Sequence, residues 1–165
     1  RSFVKNQDPP HSAVSLAQVH QNVMALMAHL IQGDRVEVKW QPQTLPLWVT
    51  GDAVQLTQVL LNVYRNAIDA TSQQAIKSLD VRAWQAGDWV HLQVSDNGPG
   101  FSEQALAHGN EGFFSTKTGG LGLGLLISRQ IIQAHGGVMN LTHAPEGGAC
   151  IQIQLRAHPA AVTPS

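Results

Sequence analysis

Residues 119–125 read Gly-Gly-Leu-Gly-Leu-Gly-Leu, the most informative stretch of the chain. Four of its first six positions are glycine, which removes side chains where backbone N–H groups must approach a ligand closely. The apolar run that follows, 125–135, predicts a helix that ends at Gly136. The glycines then lie at a helix N-terminus, where unpaired N–H groups and the helix dipole favour phosphate. A flexible hinge is the alternative that a glycine run alone leaves open.

Two familiar phosphate-binding loops do not fit this stretch. A Walker loop needs its lysine after the glycines and followed by Ser or Thr, whereas Lys117 precedes them. In the dinucleotide fingerprint the third glycine would fall on Leu125 or Ile127, and no predicted strand leads into the run. The sequence therefore predicts a different kind of nucleotide site.

The composition predicts one compact domain of 165 residues, 43% of them hydrophobic. The net charge of −1 and the lack of a Lys/Arg run argue against nucleic-acid binding. A single cysteine, Cys150, excludes an internal disulfide and favours a reducing cytosol. No stretch has the length of a membrane span, so we expect a cytoplasmic domain, with anchoring of its parent protein in the inner membrane left open.

The apolar patterns predict helices and antiparallel hairpins that segregate into two layers, an α/β sandwich. The predicted helices are Ser15–Ile31, Ala53–Gln73 and Leu125–His135, with one further turn at Ser102–Ala107. The predicted strands are Val36–Trp40, Leu47–Val49, Asp80–Trp84, Trp89–Ser95, Val138–Thr142 and Ala149–Leu155. We assign residues 1–14 to a linker, 15–156 to the domain and 157–165 to a disordered tail.

The helix predicted over 53–73 carries a polar stripe beside its apolar face. Asp52 is expected to cap it, with Gln55 as capping-box partner. At about 100° per residue, one arc holds Leu56, Val59, Leu60, Val63, Ala67 and Ala70. The neighbouring arc holds Asn62, Arg65, Asn66 and Asp69. Asn is a poor helix former, and a Mg²⁺ ion held by side-chain carbonyl and phosphate oxygens would explain its use. A solvated polar face is the alternative.

Asp96 ends an apolar strand and begins the segment Asp96-Asn97-Gly98-Pro99-Gly100. Such a segment is often only a turn. The functional interpretation is that a buried carboxylate accepts the exocyclic N–H of adenine while the glycines let the base approach the backbone. Guanine offers a carbonyl there, so this aspartate would select ATP over GTP.

Taken in order, these motifs resemble those of the ATP-binding catalytic domain of sensor histidine kinases, in the Bergerat-type (GHKL) superfamily. Residues 58–70 are similar to the Asn box, 96–100 to the first glycine box, 113–117 to the Phe box and 120–125 to the second glycine box. The Arg65-Asn66-Ala67 variant resembles nitrogen- and oxygen-sensing kinases. The resemblance covers about 15–155, nearly the whole chain.

The resemblance implies a mixed β-sheet covered on one face by three helices, with a mobile ATP lid over residues 101–119. It implies ATP and Mg²⁺ as cofactors, with Asn66 as metal ligand, Asn62 as its helper, Asp96 on adenine and Lys117 on the terminal phosphate. The nucleotide contacts it implies are Asn62, Arg65, Asn66, Asp69, Asp96, Gly98, Gly100, Phe114, Ser115, Thr116, Lys117, Gly120, Leu121, Gly122, Leu123, Gly124 and Leu125.

The resemblance also indicates what happens to the ATP. Hydrolysing branches of the superfamily use a Glu one turn before the metal-binding Asn, and here that position is Asn62, which cannot act as a base. We therefore expect γ-phosphoryl transfer to an external histidine. None of the eight His is followed by an acidic residue, so the acceptor would lie on a separate dimerisation domain, with a response regulator downstream. We expect the isolated domain to be monomeric. A serine kinase and a nucleotide-binding module without transfer activity are the alternatives.

Overall fold

A computed structural model of the chain describes residues 12–43, 46–110 and 122–159. The helices and strands follow one another as β1 (Ser12–Ser15), α1 (Leu16–Leu26), α2 (Ala28–Asp34), β2 (Val36–Pro42), β3 (Trp48–Gly51), α3 (Ala53–Ala70), β4 (Lys77–Ala86), β5 (Trp89–Asp96), α4 (Glu103–Asn110), α5 (Gly122–Ala134), β6 (Val138–His143) and β7 (Ala149–Arg156). Within these residues, no helix is both long and apolar enough to cross a membrane.

The main sheet has five strands in the order β2-β4-β5-β7-β6. Strands β2 and β4 run parallel, and the other neighbours run antiparallel. Every second residue of the central strands is buried: Leu79, Val81 and Ala83 on β4, and Val90, Leu92 and Val94 on β5. Helix α3 packs on these two strands, with α1 and α5 on either side of it. The predicted two-layer sandwich with a mixed sheet is confirmed.

The long first helix predicted over 15–31 is wrong, because the structure has a strand and two helices there. Ser15 closes β1 and caps α1, its Oγ accepting from the Gln18 N–H at 3.2 Å. At Met27, φ −103° and ψ 9° interrupt the helix, and α2 continues to Asp34, beyond the predicted end. The apolar spacing runs on through Val23, Met27 and Ile31, so periodicity alone does not reveal the break.

Ordered structure extends slightly beyond the predicted bounds of the domain at both ends. Residues 12–14, assigned to a linker, belong to β1, which pairs with β3 in a separate two-stranded sheet through Val14 opposite Val49. Near the other end, Ala157 bridges to Val49. The strand predicted over 47–49 is therefore β3, which pairs with β1 and with Ala157. It is not part of the main sheet.

Helix α3 ends at Ala70, three residues before the predicted end, because Thr71 caps it by donating its hydroxyl to the Ile68 carbonyl at 2.7 Å. Its start is as predicted: Asp52 Oδ1 accepts from the N–H groups of Val54 at 2.8 Å and Gln55 at 3.1 Å. The expected reciprocal bond, from the Asp52 N–H to the Gln55 side chain, is replaced. The Asp52 N–H instead donates to His135 Nε2 at 3.2 Å.

His135 follows the last residue of α5 and joins it to the start of α3. Its Nδ1 lies 2.9 Å from the Ile131 carbonyl oxygen, which can only accept, so Nδ1 carries the proton and Nε2 is the acceptor for Asp52. Gly51 packs against the ring so closely that a Cβ there would overlap Cδ2 of His135. The end of α5 is thus fixed against the first turn of α3.

A buried polar cluster fixes α1 against the middle of α3. Nδ1 of His20 lies 2.7 Å from the Tyr64 hydroxyl, and the imidazole stacks on Trp40 of β2 with 4.2 Å between ring centroids. Burial lowers the pKa of His20 to about 4, so the imidazole is neutral at pH 7. The cluster therefore holds α3 in place without burying a charge.

Candidate functional site

The polar stripe predicted on α3 is present, beside the buried face of the helix. The apolar arc is buried as predicted, except that Ala70 is half-buried and that Tyr64 and Ile68 join the buried face. In the stripe, Asn62 and Asn66 are half-buried, whereas Arg65 and Asp69 are exposed. The two amides therefore lie at the edge of the core, where a bound group could meet both of them across one helical turn.

Asn62 faces helix α5. Its Nδ2 donates to the Gly124 carbonyl oxygen and to Oγ of Ser128, both at 3.3 Å. Since a carbonyl oxygen can only accept, the –NH₂ half of this amide must be the half that faces α5. The carbonyl half of Asn62 consequently points away from α5.

Helix α5 begins at Gly122, three residues earlier than predicted, so Gly122 and Gly124 lie within its first turn. Leu123 and Gly124 are exposed, and Leu125 is buried in the core. Because the side chain of Leu125 belongs to the core, any contribution it makes to a nucleotide site comes from its backbone. The first N–H groups of this helix have no intrahelical acceptor, which is the property that a phosphate site needs.

Asp96 is the last residue of β5 and is 7% exposed. Its Oδ1 accepts from the N–H of Gly98 at 2.8 Å and from the N–H of Ala149 at 3.2 Å. Burial raises the pKa of the Asp96 carboxyl, and these two N–H donors oppose the rise. Both bonds use the same oxygen, so the backbone of two loops fixes the orientation of the carboxylate.

Gly98 and Gly100, which follow Asp96, are each required to be glycine for a different structural reason. A Cβ on Gly98 would overlap the carbonyl oxygen of Ala70, at the end of α3. Gly100 has φ +87°, a conformation that L side chains rarely adopt. The first glycine box therefore also fixes how closely β5 approaches the end of α3.

Several predicted contacts lie outside the described residues: Phe114, Ser115, Thr116, Lys117, Gly120 and Leu121. Part of the predicted lid is described and is helical. The turn predicted over 102–107 is helix α4, Glu103–Asn110, with the Ser102 hydroxyl accepting from the Ala105 N–H at 3.0 Å.

Sequence reasoning missed Ser128 and Ala149. Ser128 is fully buried on the same side of α5 as Leu125 and Ile132. One hydroxyl among apolar residues at helical spacing was a usable signal, since a buried hydroxyl needs a partner. Ala149 contributes only its backbone N–H to Asp96, and a backbone donor leaves no signature in a sequence.

The chain is similar in sequence to known proteins. Residues 51–159 match the model of the histidine kinase-, DNA gyrase B- and HSP90-like ATPase family. The chain is 39% identical over 145 residues to the C4-dicarboxylate transport sensor protein DctB of Pseudomonas aeruginosa, across 86% of this chain and 24% of DctB. It is 34% identical over 158 residues to the sensor protein FixL of Bradyrhizobium diazoefficiens, across 95% of this chain and 31% of FixL. The chain thus spans a quarter to a third of these relatives.

Solved structures share the fold. The nucleotide-free catalytic domain of histidine kinase ThkA superposes with a TM-score of 0.78 at 26% identity, covering 92% of this chain and 98% of that domain. A longer ThkA structure, in complex with the response regulator protein TrrA, superposes with a TM-score of 0.75 at 24% identity over 91% of this chain and 42% of that chain.

Proposed function

Because the chain belongs to the family of histidine kinase-, DNA gyrase B- and HSP90-like ATPases, we propose that it is the ATP-binding catalytic domain of a sensor histidine kinase. In this proposal it binds Mg–ATP and donates the γ-phosphoryl group to a histidine on a separate dimerisation domain. We assign the catalytic domain to residues 15–156, with residues 12–14 and Ala157 added to it because they pair with β3.

The observation that supports phosphoryl transfer rather than ATP hydrolysis is the hydrogen bonding of the Asn62 side chain. It lies one turn before Asn66, and its –NH₂ group donates to Gly124 and Ser128 of α5. An amide held in this way cannot take a proton from water, so this position supplies no general base for hydrolysis. The γ-phosphoryl group of bound ATP would then be transferred to an acceptor from outside the domain.

The residues fit Mg²⁺ because the donor set is made of amide oxygens. Mg²⁺ prefers oxygen ligands and takes few of them from protein, with phosphate oxygens and water filling the remaining positions. Asn66 would bind the ion, and the carbonyl half of Asn62, turned away from α5, would assist. The bound ion would neutralise charge between the phosphates. Arg65 and Asp69 would lie at the exposed edge of the same site.

The remaining contacts are assigned by position. Asp96, Gly98 and Gly100 would bind adenine at the end of β5. The phosphates would meet the backbone of the second glycine box, 120–125. The Phe-box residues 114–117 would close over the nucleotide as a lid, with Lys117 on the terminal phosphate.

We propose a dimerisation domain that carries the acceptor histidine and a downstream response regulator as partners. ThkA, whose catalytic domain shares this fold, is in complex with a response regulator. The single buried cysteine, Cys150, and the use of ATP favour a cytoplasmic setting, with the isolated domain monomeric.

Phosphotransfer tests the proposal directly. The chain is incubated with γ-labelled ATP, Mg²⁺ and the matching dimerisation domain, and we expect label on that domain that is lost in acid and kept in base. Acid-stable label would indicate a serine kinase. ATP binding with no label transferred would indicate a nucleotide-binding module. Either of these results contradicts the proposal.

Asn66→Ala is expected to weaken Mg–ATP binding by about 1.5–3 kcal/mol, because one oxygen ligand of the ion is lost. The half-buried position leaves the core of α3 intact, so the unfolding midpoint should hardly change. Isothermal titration with and without Mg²⁺ measures the effect. Gln58→Ala, an exposed change two turns earlier on α3, is the control and should bind as wild type does. Unchanged Mg–ATP affinity in Asn66→Ala would refute the metal assignment.

A further inference from the structure

Ser128 is a fully buried hydroxyl in the interface between α3 and α5. It lies among apolar neighbours, with buried Leu125 three residues before it and buried Ile132 four residues after it. An alanine here would bury no polar group. A buried hydroxyl, by contrast, lowers the stability of the fold unless it is hydrogen-bonded. Its partner is the Asn62 side chain on α3.

The geometry makes the Asn62 amide a bridge across one turn of α5. Its –NH₂ group meets the Gly124 carbonyl oxygen and Ser128 Oγ, four residues apart and so on one side of the helix. Both distances are 3.3 Å, so neither bond is strong by itself. Two acceptors together satisfy both protons of the –NH₂ group, and a flipped amide would turn its oxygen towards the Gly124 oxygen instead.

We propose that Ser128 is a positioning residue: through Asn62 it sets which end of that amide faces the bound Mg–ATP. This inference rests on the proposed function, since it concerns the metal site on α3. With Ser128 present, the –NH₂ group donates both of its hydrogen bonds to α5, and the carbonyl oxygen is presented to the ion. Without the hydroxyl, one N–H loses its acceptor and a single 3.3 Å bond to Gly124 holds the orientation.

The same contact joins the two halves of the site. Gly124 and Ser128 belong to the helix that begins with the second glycine box, and Asn62 belongs to the helix that carries Asn66. A displacement of α5 therefore changes the support of a metal-facing amide directly. Ser128 touches neither nucleotide nor metal in this arrangement, and acts only through Asn62.

The test is a double-mutant cycle on the whole chain, with Ser128→Ala, Asn62→Ala and the double variant. Affinity for ATP is measured by isothermal titration in Mg²⁺ and again in EDTA. We expect Ser128→Ala to weaken binding about tenfold in Mg²⁺, as loss of a partner behind a metal ligand usually does, and to leave binding in EDTA unchanged. In the Asn62→Ala background the Ser128 change should have no further effect. Ser128→Cys, whose side chain is slightly larger and offers only a weak acceptor, should fall between wild type and Ser128→Ala.

Three results would overturn the inference: additive losses in the double variant, equal losses with and without Mg²⁺, or wild-type affinity in Ser128→Ala. A wild-type chain that binds ATP equally well in Mg²⁺ and in EDTA would refute the metal site, and this inference with it. Failure of phosphotransfer in a chain that still shows the Mg²⁺-dependent cycle would refute only the proposed kinase activity. Thermal unfolding of each variant accompanies the titrations, and a loss of affinity that follows a loss of folded protein counts against Ser128 as a positioning residue.

Discussion

Replacing Gly98 by alanine is expected to destabilise the fold by about 2–4 kcal/mol and to abolish tight ATP binding. The new Cβ would overlap the Ala70 carbonyl oxygen, a backbone atom at the end of α3 that cannot rotate away. Moving the loop to relieve the overlap would pull the Gly98 N–H from Asp96 Oδ1, now 2.8 Å away. Denaturant unfolding gives the stability, and nucleotide titration at low temperature gives the binding of the folded fraction.

The matched control is Gly33→Ala. Gly33 lies within α2, and a Cβ there would meet no heavy atom within 4 Å. Alanine is the better helix former, so this variant should equal wild type or gain up to about 1 kcal/mol. If Gly98→Ala matched Gly33→Ala in stability and ATP affinity, the close approach of β5 to α3 would not be the reason for the glycine.

Asp96→Asn is expected to lose ATP affinity by about 10²–10³-fold while the fold survives. The asparagine Oδ1 can still accept from the N–H groups of Gly98 and Ala149, so the loop keeps its anchors. Its –NH₂ group then replaces the second carboxylate oxygen and meets the adenine amino group donor to donor, which leaves both unpaired. Guanine offers a carbonyl at that position, so the variant should lose its preference for ATP over GTP.

Competition of ATP and GTP for a fluorescent nucleotide measures this preference. Asp80→Asn is the control, because Asp80 lies opposite Ser95 on the neighbouring strand and pairs with Arg82 at 3.5 Å. It should retain the wild-type ratio. A wild-type chain that already binds GTP as tightly as ATP would show that Asp96 does not recognise adenine.

The sequence predicted best the features that depend on neighbouring residues. The start of α3 follows from Asp52, and its buried face follows from apolar residues at helical spacing. The hairpins of β4–β5 and β6–β7 follow from apolar runs on either side of short turns. The order of polar motifs along the chain indicated the site before any contact was known.

Features that depend on distant residues could not be predicted. Strand β1 has no alternating pattern, and it exists because Val14 meets Val49 and the Ser12 hydroxyl donates to the Gly51 carbonyl at 2.9 Å. Gln55 was the sensible capping-box partner for Asp52, but His135, 83 positions away, accepts that N–H instead. Propensity and spacing carry no information about such pairs, which only the packed fold creates.

Helix α5 is a rigid arm, and a rotation of the helix would turn about His135 at its end. The imidazole fixes the far end through Ile131 and Asp52, whereas at the glycine end Leu125 packs in the core and Asn62 donates two 3.3 Å bonds. Thirteen residues give an arm of about 20 Å, so a tilt of about 5° moves the glycine end by roughly 1.7 Å. That displacement would break the bonds to Asn62, while the hydrogen bonds of Asp52 at the start of α3 would stay in place. A small rotation at His135 therefore has its largest effect where the phosphates would bind.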